Sequence, residues 1–390
     1  MDKRESCKVL IVGGGVGALE AAIALRDLAG DEVQVEICAG RGDFAYRPFA
    51  VGEPYGASRV LRYELGHLAK RCGAEFRLEN IVAVDTVSRH ATSHDGTAIP
   101  YDYLIVACGA RLLWSVPGTT TFWGVSEETE IQETMGRLRE GRLRHLVLTM
   151  SGGHGWALPA YELALLAATE LERAGIAKTR LTIVTPEESP LQAFGRRASA
   201  QVAAILAEHG IAVHTGTHPV RYERGLLEVL PGADIEADAV ISLPRLEGRR
   251  IQGLPYDPSG FIPVDDHARV AGLEGAFAVG DVTSFPVKQG GIATQQADVA
   301  AETIAADLGR EVEADPIDPV LRGVLWAGST PRYLFGWPGG GGGEASVSGE
   351  RPAGPVSNPS KLIGRFLTPF LSGLDRGRPA ASGGPFSAAR

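Results

Sequence analysis

The sequence predicts an α/β fold of two Rossmann-like parallel-sheet domains, the second inserted in the first, with a C-terminal extension. Three stretches carry that reading. Cys7–Ala24 runs strand, glycine turn, helix; the order returns from His145 to Gly175; and Ala276–Leu308 gives a buried strand, a carboxylate and a long helix. The expected domains are residues 1–115 with 244–325, then 116–243, then the extension 326–390.

Val9-Leu10-Ile11-Val12 is wholly apolar, as suits a parallel strand buried on both faces. Gly13-Gly14-Gly15-Val16-Gly17-Ala18 follows and fits G-x-G-x-x-G/A. Gly13 permits a sharp turn, Gly15 admits a pyrophosphate, and Ala18 lets a helix over Leu19–Leu25 pack closely. Three successive glycines would be a needless entropic cost in a ligand-free turn. A second strand is expected at Glu32–Cys38. The acidic residue that usually ends it and holds a ribose is replaced by Ala39-Gly40, with Asp43 a few residues late. That weakens an NAD reading and leaves room for FAD held through other ribose contacts. Arg47, in a Pro/Gly-rich loop beside aromatics, suits a phosphate or flavin contact and equally a plain surface role.

Leu61–Cys72 reads as helix, and short strands at Ala74–Leu78, Ile81–Val84, Arg89–Thr92 and Ala98–Pro100 read as an inserted β-meander. Tyr103–Arg111 is another buried strand ending in a glycine turn, and Glu127–Leu143 a charged helix. His145–Thr149 opens the second unit. Its loop reads Ser151-Gly152-Gly153-His154-Gly155-Trp156-Ala157-Leu158-Pro159, so Leu158 takes the third small position and Trp156 and Pro159 crowd the turn. A helix at Tyr161–Gly175 and a strand at Arg180–Val184 complete this βαβ unit, with Thr185-Pro186 at its ribose position and Glu187 displaced. Helix Ala198–His209 and strands near Ala212–Thr215, Leu226–Val229 and Ala239–Leu243 close the domain. In the extension, Gly339–Pro359 reads as a flexible linker. Ser360–Leu374 reads as an amphipathic helix kinked at Pro369, with Lys361 and Arg365 opposite seven apolar residues. That basic character favours an anionic membrane surface over docking on the body or on a second subunit.

A net charge of −9 over 390 residues argues against nucleic-acid binding. The charged Met1–Lys8 does not read as a signal peptide, and no apolar run approaches the roughly 20 residues that span a bilayer. The expected location is cytoplasmic, or peripheral on the inner face of the cell membrane. Cys7, Cys38, Cys72 and Cys108 show no metal-ligand spacing and no C-x-x-C, although folding could still pair Cys7 with Cys38.

Four segments, VLIVGGGVGALEAA, DYLIVACGAR, WALPAYELAL and the run from Gly260 to Ala305, resemble the two-dinucleotide-domain FAD-dependent pyridine nucleotide-disulfide oxidoreductases. Within them the chain is similar to the sulfide:quinone oxidoreductase and type II NADH dehydrogenase branch over residues 7–325. The resemblance implies FAD on Gly13, Gly15 and Ala18, with Cys108-Gly109 standing where the family has Thr-Gly. It implies that Asp281, after Gly280, receives the ribityl hydroxyls. Lys288-Gln289-Gly290 would lie at the flavin, at the positive end of an Ile292–Leu308 helix. Gln295-Gln296 resembles the glutamine pair near quinone in the NADH dehydrogenases. The family's redox cysteines have no counterpart near Pro159–Glu162, and the altered second loop argues against efficient NAD(P)H oxidation. The expected function is a FAD-dependent oxidoreductase passing electrons from a small-molecule donor to a quinone or other acceptor. Its candidate proton-handling residues are Lys288, Glu162 and His154, with Trp156 beside them. The competing reading is a non-catalytic flavoprotein serving as a sensor or interaction module.

Overall fold

A computed structural model describes residues 6–124, 129–153, 155–327, 330–337, 346–348 and 364–375. In chain order, β1 (Cys7–Val12), helix α1 (Val16–Ala29), β2 (Val33–Ala39), β3 (Glu75–Leu78) and β4 (Tyr103–Val106) come first. Then follow β5 (His145–Thr149), α2 (Leu158–Arg173), β6 (Arg180–Val184), β7 (Ile211–His214) and β8 (Ala239–Ser242). The chain returns through β9 (Ala276–Ala278) and α3 (Gly290–Asp307). It then adds a hairpin, β10 (Leu321–Ala327) with β11 (Thr330–Gly336), and the helix α4 (Leu367–Asp375).

The first sheet has the order β9–β4–β1–β2–β3, all parallel, with Val9 opposite Val35 and Tyr103. Apolar runs form it because both faces are covered: Val9–Val12 and Leu104–Val106 are all buried. On one face α1 lies against α3, and the contact is lined by alanines and glycine. A Cβ added at Gly17 would sit 3.0 Å from Val279 Cγ2 and 3.4 Å from the Ala293 carbonyl oxygen. The second sheet, all parallel, runs Thr120–Thr121, β8, β5, β6, β7. The two Rossmann-like sheets expected from the sequence are therefore present.

Four local expectations change. Leu61–Glu64 is a strand paired antiparallel with Asp43–Tyr46, and only Leu65–Arg71 is helical. Long-range pairing overrides the helical spacing there. Glu75–Leu78 belongs to the edge of the first sheet rather than to the meander, which is Ile81–Asp85, His90–Ser93 and Ala98–Pro100. Pro369 falls in the first turn of α4, where a missing N–H is no defect, so it does not kink the helix. Ser346–Ser348, inside the expected linker, pairs with Tyr333–Phe335.

The amphipathic segment has a protein host. Leu367 and Leu371 are buried in the core around α1 and α3, with Phe366, Phe370 and Leu374 packed beside them. Lys361, Leu362 and Ile363 lie outside the described residues. Glu20 of α1, fully buried, accepts the Phe366 and Leu367 backbone N–H groups at 2.9 and 2.7 Å. Those are orphan donors at the start of α4, and a carboxylate is the group that suits them. Asp298 of α3 hydrogen-bonds Glu20; burial and that carboxylate both drive its own pKa upward. The sequence argument for a membrane surface rested on an uncovered apolar face with a basic flank, and at Leu367 and Leu371 that face is covered by the body. No described helix is long and apolar enough to cross a membrane.

Candidate active site

A cavity of about 740 Å³ lies at the C-terminal ends of β1, β2, β4 and β9, where open parallel sheets bind ligands. Gly13–Gly17 form one wall. Gly13 has φ of +131°, and a Cβ there would stand 2.2 Å from the Ala107 carbonyl oxygen. It turns the chain under its neighbouring strand and has no alternative residue. Gly15 differs, because a Cβ there meets nothing within 4 Å and would project into the cavity. That emptiness is a cradle for a ligand's phosphates beside the N-terminus of α1. Ala18 is fully buried beneath.

The opposite wall comes from the return of the chain. Gly280, with φ of +78°, turns out of β9 and presents Asp281 to the cavity. Burial raises the Asp281 pKa, while the charges of Lys288 and Arg47 oppose that rise. Lys288 is buried, and burial lowers its pKa to about 8 against the restoring fields of Asp281 and Asp257. Its ammonium donates to the Thr283 carbonyl and lies 3.7 Å from the centre of the Phe261 ring. Lys288 is thus anchored beside Asp281 and lines the cavity without swinging freely in it. Arg47 is open to the same cavity, and Cys108-Gly109 lie along its floor. Gln289 ends the loop before α3: its amide nitrogen donates to the Arg322 carbonyl at 2.6 Å, and its buried Oε1 has no partner among the described residues. Gly290 opens the N-terminal turn of α3 onto the cavity.

The second glycine loop is drawn into this site instead of forming a free one. Gly155 pairs with Val287, and its carbonyl accepts the Lys288 N–H at 3.3 Å. Trp156 leans on Phe194, ring centres 5.5 Å apart, and Leu158 and Pro159 already form the first turn of α2. Pro159 removes a donor from the helix end that would otherwise face a pyrophosphate. Glu187, the displaced ribose candidate, accepts the Tyr161 hydroxyl at 2.7 Å and Thr185 Oγ1 at 3.2 Å. Glu162 is buried and accepts the Trp326 N–H at 3.3 Å, so it clamps β10 to α2 beside the cavity. His154 lies outside the described residues.

Residues 7–302 match the family model described as pyridine nucleotide-disulphide oxidoreductase. The chain belongs to that family. A sulfide-quinone reductase of Aquifex aeolicus is 28% identical over 189 residues, 46% of this chain and 43% of that one. The aligned stretch thus spans less than half of that relative. A NADH dehydrogenase-like protein of Mycobacterium tuberculosis is 25% identical over 299 residues, 71% of this chain and 73% of that protein. Among solved structures, the sulfide:quinone oxidoreductase of Aquifex aeolicus superposes with a TM-score of 0.78 at 22% identity, covering 85% of this chain and 84% of the other.

Membership makes the protein a FAD-binding oxidoreductase, and the Gly15 opening fits the dinucleotide. The dithiol in the family's name is another matter. All four cysteines are free, and Cys7 and Cys38 sit at opposite ends of paired strands, opposite Val33 and Val12. Cys38 and Cys108 both line the cavity, but burial pushes their thiols up to about 12 and about 11. Neither carries the thiolate that disulfide chemistry needs at neutral pH.

Gln295 and Gln296 are already committed. Gln295 exchanges hydrogen bonds with the Val320 backbone at 3.0 and 2.8 Å, and Gln296 accepts the Gly280 N–H at 2.7 Å. They brace the chain behind the site. Sequence reasoning missed Arg322, Gly323 and Val324 of β10, as well as Asn80, Trp123, Arg249 and Arg250, all of which line the cavity. The hairpin had a signal in the sequence: Gly328-Ser329 stands between two largely apolar runs, a pattern that reads as a hairpin.

Proposed function

We propose that the protein passes electrons from a donor other than NAD(P)H, through FAD, to a quinone or similar flat acceptor. In this reading residues 1–115 and 244–325 hold FAD, and residues 116–243 and the extension wall off the reaction chamber. FAD when bound supplies reversible two-electron chemistry; the chain binds it, orients it and sets its electrostatics. Gly13, Gly15 and Ala18 seat the pyrophosphate, and Asp281 receives ribityl hydroxyls, with the charges of Lys288 and Arg47 opposing the rise that burial imposes on its pKa. The first turn of α3, with Gln289 and Gly290, offers donors that favour negative charge in its neighbourhood. Arg47, Cys108 and Gly109 complete the cofactor wall.

One observation carries the choice of donor: the second glycine loop is engaged by contacts of Gly155 with Val287 and of Trp156 with Phe194. A nicotinamide dinucleotide would have to displace these. The sulfide-quinone reductase and NADH dehydrogenase-like relatives suggest the acceptor class, while the protonated, unpaired thiols argue against a cysteine route from sulfide. Glu162 is a structural clamp in this reading, which leaves Lys288 and His154 as the remaining sequence candidates for proton handling.

The test is anaerobic stopped-flow bleaching of the purified yellow protein with NADH, NADPH, sulfide and small thiols, followed by reoxidation with a water-soluble quinone. Slow bleaching by the nicotinamides and fast quinone reoxidation are expected. Nicotinamide bleaching at roughly 10–1,000 per second, the usual enzymatic range, would overturn the choice of donor. A flavin that no quinone reoxidises would favour the non-catalytic reading.

A further inference from the structure

We propose that Asn80 holds the adenosine ribose of FAD, in place of the acidic residue that ordinarily ends the second strand of such a domain. The inference rests on the FAD reading of the first site and adds the residue that completes it. The strand β2 stops at Ala39, whose side chain is buried, and the next residue, Gly40, has none. No carboxylate therefore grows from the usual place. Asp43, the nearest acidic residue downstream, is taken: Arg41 and Arg62 hold its two oxygens at 3.1 and 2.6 Å.

The space left at position 40 is filled from the neighbouring strand. The edge strand β3 runs parallel to β2 with Leu78 opposite Ala39, and the Glu79 N–H donates to the Ala39 carbonyl at 3.0 Å. That carries Asn80 across the end of β2, where its own carbonyl accepts the His94 N–H at 2.8 Å. A Cβ built on Gly40 would lie 1.9 Å from Asn80 Oδ1 and 2.7 Å from Nδ2. The side-chain amide thus occupies the space in which a ribose-binding side chain would be rooted. Gly40 is not among the residues with positive φ, so its backbone does not demand glycine. The amide above it does. Gly40 and Asn80 both line the cavity, beyond Gly13–Gly15. A carboxamide offers an acceptor and two donors, which matches a vicinal diol whose hydroxyls each donate and accept.

The experiment is a titration of flavin-free protein with FAD, and with the FAD analogue whose adenosine lacks both ribose hydroxyls, read by flavin fluorescence. Asn80→Ala should weaken FAD about tenfold, the value of one or two net hydrogen bonds, and leave the analogue within about twofold. Gly40→Ala, which pushes the amide aside, should do the same. The double variant should be no worse than either single one, because both remove one interaction. Circular dichroism and melting of the flavin-free variants check that the fold is kept. Equal losses for FAD and analogue, multiplicative losses in the double variant, or undiminished FAD binding by Asn80→Ala would each overturn the assignment. So would a tenfold loss in Glu79→Gln with Asn80→Ala unaffected, which would move the ribose to the neighbouring carboxylate. Wild-type protein that takes up no FAD at all would instead overturn the cofactor reading beneath it.

Discussion

Replacing Glu20 by Ala should release the C-terminal helix while leaving the two sheets intact. Glu20 is fully buried between α1 and α4 and accepts two backbone N–H groups, from Phe366 and Leu367, at 2.9 and 2.7 Å. Each is a hydrogen bond to a charged group, worth about 1.5–3 kcal/mol. Part of the gross value is returned, because burial penalises the carboxylate and raises its pKa. A net loss of about 2–3 kcal/mol remains, within the range of buried cap removals that strand their donors. The loss is local, since α4 and the residues before it touch the body through Leu367, Leu371, the flanking Phe366, Phe370 and Leu374, the Arg365–Glu302 ion pair and this cap, and neither sheet includes a strand from it. Hydrogen exchange by mass spectrometry should therefore show amides of residues 364–375 exchanging roughly 30- to 150-fold faster, at 1.36 kcal/mol per decade. Peptides from β1, β4 and β5 should keep their protection. Glu20→Gln, which retains one acceptor oxygen, should fall between. Exchange of residues 364–375 within about threefold of wild type would refute the cap, because no other described group satisfies those two donors.

Gly15→Val should yield a colourless protein with native circular dichroism, since the new side chain enters only the cavity; Gly13→Ala, 2.2 Å from the Ala107 carbonyl, should impair folding as well. Absorbance near the flavin band and a melting curve separate the two. Asp298→Asn should flatten the dependence of stability on pH. Burial and Glu20 raise the Asp298 pKa, so the folded chain holds that proton more tightly than the unfolded one. Stability is therefore lost as pH climbs above the ordinary carboxylate range, by about 1.4 kcal/mol for each tenfold difference in proton affinity. Asn has no proton to lose, and melting from pH 5 to 9 should show the variant gaining on wild type toward alkaline pH; parallel curves would refute it. Removing residues 360–390 should leave flotation with anionic liposomes unchanged, because Leu367 and Leu371 are spent on the body. Flotation that depends on the tail would mean that the helix leaves its dock.

What was legible in the sequence is what local patterning decides. Val9–Val12 and His145–Thr149 were read correctly because burial on both faces leaves an uninterrupted apolar run, and the glycines after the first have a backbone task that shows in their spacing. Leu61–Glu64 was misread because its partner Asp43–Tyr46, not its own spacing, makes it a strand. The tail was read as a surface-seeking helix because its apolar residues are visible locally, whereas Glu20, the group that receives it, lies 346 residues away. The ribose position shows the same limit from the other side. Gly40 looked like a missing ligand, and along the chain it is one; only the parallel pairing of β2 with β3 places Asn80 above it. An acidic residue at position 40 and an amide at position 80 compete for one volume, so the absence of the first is what the second requires. A motif scan confined to β2 scores that exchange as degradation, although the cavity wall is continuous across both residues. The second glycine loop departs from its motif for a different reason. There the helix end is closed by Pro159 and its neighbours are bonded to Tyr161, Val287 and Trp326, and among the described residues none supplies the donor that Pro159 withdraws. The two departures look alike in sequence, and in the proposed reading they have opposite consequences for a bound dinucleotide.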